Sequence, residues 1–78
     1  MKVRVLISLK PGVLDAQGRA LEHALKDLGY AQVKGVRTGK QVVLDLDTDD
    51  AEKARALARE LCEKLIANPV IEQYEILV

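Results

Sequence analysis

The sequence predicts an α+β two-layer sandwich in which two amphipathic helices alternate with strands in the order β-α-β(β)-α-β. Three observations carry that expectation. Apolar residues alternate through Val3, Val5, Ile7 and Leu9. Two later stretches repeat leucine and alanine at the three- and four-residue steps of a helix face. Between them lies a second β-like run, Val33 to Asp47. Strand and helix periods differ (2 against 3.6), so these patterns are separable on sight.

Residues 2 to 10 form the first strand. Val3, Val5, Ile7 and Leu9 share one face, while Lys2, Arg4, Leu6, Ser8 and Lys10 share the other. Pro11-Gly12 interrupts the pattern, and Asp15 is placed to cap the helix that follows. From 15 to 28, Leu21, Ala24, Leu25 and Leu28 form a helical stripe that Leu14 extends backwards. An amphipathic helix packed on the sheet is therefore expected. Gln17 falls in that stripe and requires a partner for its amide, and Gly18 at its margin permits close approach of another segment. Gly29 stops the helix.

In the central stretch, Val42, Leu44 and Leu46 face one side and Val43, Asp45 and Asp47 the other. Val33 and Val36 break the alternation, and Gly35 and Gly39 loosen the backbone. Two paths fit: a short hairpin at Thr38-Gly39, or one long bent strand with a bulge. Asp49 followed by Glu52 has capping-box spacing. Ala54, Leu57, Ala58, Leu61 and Leu65 then predict a second helix ending near Ala67, where Asn68-Pro69 stops it, with Cys62 beside the stripe. Val70, Tyr74, Ile76 and Val78 share a side of a last strand, with Glu72 as the exception. This order is that of a ferredoxin-like sandwich, with both helices on one face of an antiparallel sheet.

A chain of 78 residues makes one domain, 1–78. At this size only about 60% of the unfolded surface is buried, and small domains commonly add a disulfide, a metal or an oligomer. One cysteine excludes an internal disulfide, and one histidine with no cysteine cluster offers no metal site. Oligomerisation is the remaining remedy. Leu6, Val43, Ile71 and Leu77, on the parity away from the helices, supply apolar surface for a second copy or another protein. Twelve basic and twelve acidic residues cancel, and two tyrosines are the only aromatics, which argues against nucleic acid. The N-terminal strand carries charges throughout, so neither a signal peptide nor a membrane span is expected, and the protein is read as cytoplasmic.

No residue stands in a catalytic constellation. His23 lies opposite the leucine stripe, beside Arg19 and Asp27, and reads as a surface histidine. Cys62 reads as a small buried hydrophobe rather than a nucleophile. Asp45, Asp47, Asp49 and Asp50 straddle a strand and a helix start and lack the glycine-containing loop of a calcium site. Arg37-Thr38-Gly39-Lys40 is the one phosphate-like turn, but no helix N-terminus follows it, so a turn with solvated charges is preferred. Asn68-Pro69-Val70-Ile71 reads equally as a helix stop or as an interface corner.

Several segments together resemble the PurS family, the small subunit of phosphoribosylformylglycinamidine synthase. They are Leu14-Asp15-Ala16-Gln17-Gly18, His23-Ala24-Leu25, Leu28-Gly29-Tyr30, Val36-Arg37-Thr38-Gly39-Lys40 and the run from Cys62 to Glu72. The stretch LIANPVIE, Leu65 to Glu72, is the most specific. Ala16 stands where the family usually has proline, and alanine also suits a first helical position.

The resemblance implies a non-catalytic adaptor in purine biosynthesis. A synthetase subunit uses ATP and magnesium to activate the formylglycinamide ribonucleotide amide, a glutaminase subunit releases ammonia from glutamine, and the small subunit brings the two together. It implies no catalytic residue and no cofactor on this chain. It also implies a homodimer in which the long bent middle strand is shared between protomers. Arg37, Lys40, Asn68 and Tyr74 are the expected dimer or partner interface residues. A dimeric ferredoxin-like small-molecule regulatory module is the alternative function. A small hydrolase on this fold would need an Arg and Asn arrangement that the sequence does not supply.

Overall fold

A computed structural model describes residues 1–78. β1 (Lys2–Leu9) lies at the centre of a three-stranded antiparallel sheet, flanked by β2 (Gly39–Asp45) and β3 (Glu72–Leu77). The register sets Val5 opposite both Val42 and Ile76, and Val3 opposite Leu44. The predicted parity therefore holds across all three strands. Val3, Val5 and Ile7 are buried on the helix side, whereas Leu6 and Val43 on the other side remain open to solvent.

The second helix, α2 (Ala51–Leu61), covers the buried face. Its cap is Asp50 rather than Asp49: the Asp50 carboxylate accepts from the Glu52 and Lys53 amides, while the Thr48 hydroxyl accepts from the Asp50 amide. That turn shifts the helix start by one residue. α2 then widens into a π-helical turn, Cys62–Ile66, closed by the Ala67 amide donating to the Cys62 carbonyl at 3.0 Å. The wider turn re-phases the face. Ala54, Ala58 and Cys62, four residues apart, are buried against β1, and Ile66 packs on the same core. Leu65, predicted in the stripe, turns outward and is 84% exposed.

The first helix, α1 (Ala16–Asp27), departs from expectation. It starts at the Asp15 cap and ends in a Schellman arrangement, with the Tyr30 amide on the Leu25 carbonyl, the Gly29 amide on the Lys26 carbonyl, and Gly29 at φ 92°. It is not packed on the sheet: Gly18 is its only buried residue, and Leu14 and Leu28 are 68% and 72% exposed. The radius of gyration is 15.9 Å, against about 11–12 Å for a spherical domain of this length. The extents, 48 × 23 × 14 Å, describe a small sandwich carrying an arm. The α+β class stands, but its second layer is α2 alone.

Within one protomer only the second half of the central stretch is strand, and no hairpin closes at Thr38-Gly39. β2 begins at Gly39, and Val33 to Thr38 pairs with no strand. Instead this segment lies against the start of α1, where a Cβ on Gly18 would sit 2.6 Å from the Val36 carbonyl oxygen. The close approach read from Gly18 is thus made to an extended segment outside the sheet. No helix is long and apolar enough to cross a membrane.

Candidate functional site

At one end of the sheet, four segments distant in sequence meet: the end of β1, the start of α1, the Arg37-Thr38-Gly39-Lys40 turn and the Asn68-Pro69 corner. Asp15 organises the first junction. Its buried carboxylate accepts from the Gly18 amide (2.9 Å), the Thr38 amide (2.5 Å) and the Thr38 hydroxyl (2.8 Å). The Thr38 amide, then the Gly18 amide and the Thr38 hydroxyl hold this carboxyl below its ordinary range, since each donor favours the charged form. One aspartate therefore both caps α1 and clamps the turn to it. Capping was legible from sequence; the clamp spans 23 residues and was not.

Arg37 secures the same turn. Its Nη1 donates to the Val13 carbonyl at 3.0 Å and its Nη2 to the Lys10 carbonyl at 3.3 Å. Lys10 in turn donates from Nζ to the Pro69 carbonyl (2.6 Å), and its amide donates to the Ile71 carbonyl (2.8 Å). At the corner, the Asn68 side-chain oxygen accepts from the Val70 amide, and the Asn68 amide donates to Glu72 Oε1 at 2.7 Å. Glu72 Oε2 lies 3.8 Å from Lys40 Nζ. Three of the four predicted interface residues, Arg37, Lys40 and Asn68, thus belong to one network built through Lys10 and Glu72.

Sequence reading gave Lys10 and Glu72 no role. Glu72 did leave a signal, as the polar residue on the apolar parity of the last strand. Tyr74 stands apart, packed on the core beside α2, where its hydroxyl donates to Glu63 Oε1 at 2.6 Å. That bond to a carboxylate, with burial adding to it, pushes the phenol above its usual pKa.

The reactive groups are spent or enclosed. Cys62 is fully buried, and burial together with the Glu63 charge raises its thiol pKa, so the nucleophilic thiolate is disfavoured. The phosphate-like turn is dismantled as such: the Thr38 amide is taken by Asp15, and Lys40 turns to Glu72. Arg37 faces elsewhere, into a cleft of about 660 Å³ between α1 and residues 35–37, where Arg19, His23 and Lys26 also line the wall.

The arrangement ties chain segments together at a hydrogen-bonded corner flanked by exposed apolar residues, Leu65, Val70 and Ile71. Its contacts are hydrogen bonds and one ion pair between segments of this chain. Comparison with known proteins agrees over the whole chain. The family model for PurS, phosphoribosylformylglycinamidine (FGAM) synthase, matches residues 2–78. The PurS subunit of Bacillus subtilis phosphoribosylformylglycinamidine synthase is 48% identical over 73 residues, covering 94% of this chain and 86% of that one. The crystal structure of Methanocaldococcus jannaschii PurS superposes with a TM-score of 0.88 at 43% identity, covering 97% of this chain and 92% of that one. A chain of the Thermotoga maritima PurLQS structure superposes with a TM-score of 0.87 at 32% identity, covering 97% and 93%. Full-length sequence identity and a shared fold together establish that this chain belongs to the PurS family.

Proposed function

We propose that this chain is the adaptor subunit of phosphoribosylformylglycinamidine synthase in purine biosynthesis, joining the synthetase and glutaminase subunits so that ammonia passes between them. The observation that carries this reading is the full-length likeness to a chain within the assembled PurLQS structure of T. maritima. In the complex, ATP, magnesium and glutamine are used by the larger subunits, and this cytoplasmic, single-domain chain contributes binding surfaces rather than catalytic groups. The enclosure of Cys62 and the engagement of Tyr74 by Glu63 support that division.

The chain works as a homodimer. The exposed leucines Leu14, Leu21 and Leu28, on α1 and at its two ends, are large apolar surface for so small a protein, and β2 leaves one ladder edge open next to the unpaired segment Val33 to Thr38. A second copy covers the stripe and extends the sheet through that segment, so that the middle strand is shared. Arg37, Lys40 and Asn68 set the corner that meets a neighbouring subunit, and Tyr74 braces α2 behind it.

The test measures formation of the amidine product by the two larger subunits, with glutamine or with ammonia as nitrogen source, with and without this chain. Omission abolishes the glutamine-dependent reaction and spares the ammonia-dependent one; equal rates in all four assays refute the adaptor. Light scattering of Leu21→Ser/Leu28→Ser shows a smaller mass than wild type at equal concentration, and an unchanged dimer refutes the placing of its interface on α1.

A further inference from the structure

The face of the sheet turned away from α2 is a surface that the adaptor reading leaves unassigned. The register fixes what it carries. Arg4 on the central strand lies between Val43 and Leu77, and one row along, Leu6 lies between Gln41 and Glu75. Directly opposed residues of antiparallel strands share a face. Leu6 is 36% and Val43 51% exposed, and Leu77 is half-buried, so an apolar patch spans all three strands.

Two charges in this patch are uncompensated. Arg4 and Glu75 stand on neighbouring strands one row apart, yet neither enters any ion pair of the chain. A shallow depression of about 540 Å³ lies over Leu6 and Ser8, walled by Gln41, Gln73, Lys40 and Glu75. Lys40 is matched by Glu72, so the depression presents one free carboxylate, and the adjoining row presents one free guanidinium. A surface that carries both signs in this way is complementary to itself under a twofold axis, where residue i meets j and j meets i.

We propose that this face pairs with the same face of a second copy, about a twofold axis crossing β1 between Arg4 and Leu6, so that Arg4 of each copy enters the depression of the other beside its Glu75. Such an axis reverses the strands and sets the row of Arg4 over the row of Leu6 and Glu75 in the second copy. Packed sheets lie about 10 Å apart, a gap that an arginine and a glutamate bridge from opposite sides. Leu6, Val43 and Leu77 exclude water from the seam and supply the affinity, whereas the charge pairs, out on the edge strand β3, set the register. One base and one acid placed to satisfy each other on a second copy favour that copy over a larger subunit of unrelated surface. From strand spacing and rise the face measures roughly 14 Å by 27 Å, about 400 Å² per copy against the ~800 Å² of a standard interface, so the pairing fills only at high protein concentration. It adds to the interface on α1 and does not rest on it.

The test follows mass by light scattering across a concentration series. The wild-type mass rises towards a doubling, while Arg4→Glu and Glu75→Arg, which set like charges against each other across the axis, each hold at the lower mass. Both residues are exposed on the sheet surface away from the core, so both variants fold. Recovery is the discriminating arm. An equimolar mixture of the two variants doubles again, since one supplies two acids and the other two bases, and so does the double variant Arg4→Glu/Glu75→Arg. A wild-type mass fixed over the series, a single variant that doubles as the wild type does, or a double variant that recovers where the mixture does not overturns the proposal. The last outcome would assign the two charges to each other within one chain. The α1 interface is read separately, at dilution and through Leu21→Ser/Leu28→Ser, so its failure and the failure of this pairing are distinguishable.

Discussion

Gly18→Ala tests the junction on which the arm depends. Taken as an isolated helix position, the change is favourable, since alanine exceeds glycine by about 1 kcal/mol in a helix interior. The structure reverses the sign. The added Cβ would lie 2.6 Å from the Val36 carbonyl oxygen and 2.7 Å from an Asp15 carboxylate oxygen, against the 3.4 Å at which ordinary contact begins. Neither atom is the free end of a flexible side chain, for Val36 offers backbone and Asp15 is held by Gly18 and Thr38.

Overpacking of this kind costs about 1–3 kcal/mol, and relief requires residues 33–38 to leave α1, at the expense of the Thr38 bonds. The net expectation is a loss of about 1–2 kcal/mol, with the melting temperature falling about 4–8 °C for each. Gly35→Ala is the internal control. Nothing lies within 4 Å of its Cβ position and its φ is not positive, so it should gain about 0.4–1 kcal/mol through the unfolded state. Urea denaturation at one fixed protein concentration compares the two. A Gly18→Ala protein as stable as wild type, or more so, would show that the 33–38 segment does not rest on α1.

Gly39→Ala places a Cβ 2.6 Å from the Ile7 carbonyl oxygen at the end of the β1–β2 ladder, and should cost about 1–3 kcal/mol with faster hydrogen exchange there; unchanged protection refutes it. The Asp15 carboxyl is held below its unfolded value of 3.8, so its stabilisation is present above about pH 4 and lost as pH falls through the lower folded value. In Asp15→Asn that part of the acid limb disappears: melts should differ most near neutrality and converge as pH falls through the lowered folded value, and a pH-independent difference counts against the clamp. Cys62 is buried with a raised thiol pKa, so a thiol reagent near neutral pH should label it only at the rate of opening, and prompt native labelling would contradict its place in the core.

Most elements were legible because their causes are local. Alternation fixed the facing of β1, Gly29 marked the end of α1, and Asn68-Pro69 marked the end of the second helix. The capping misreading at Asp49 was a matter of one residue, decided by the Thr48 turn. Cys62 read as a buried hydrophobe and is one. Arg37 and Lys40, by contrast, were legible only as residue types within a resemblance. Their partners lie 24 and 27 residues away for Arg37, in the loop after β1, and 32 away for Lys40, at the first residue of β3, and no local period links such distant positions.

The sequence by itself determined the strand parity, the helix limits to within a residue or two, and the family, because period, caps and motif are properties of neighbouring residues. Tertiary structure decided three things that local pattern leaves open. It turned Leu65 outward through one π-helical turn, it left the α1 stripe without a place on the sheet, and it gave the Thr38 amide to Asp15 instead of to a strand. Each is a competition for one partner between segments far apart in the chain, and only the folded geometry settles which segment arrives.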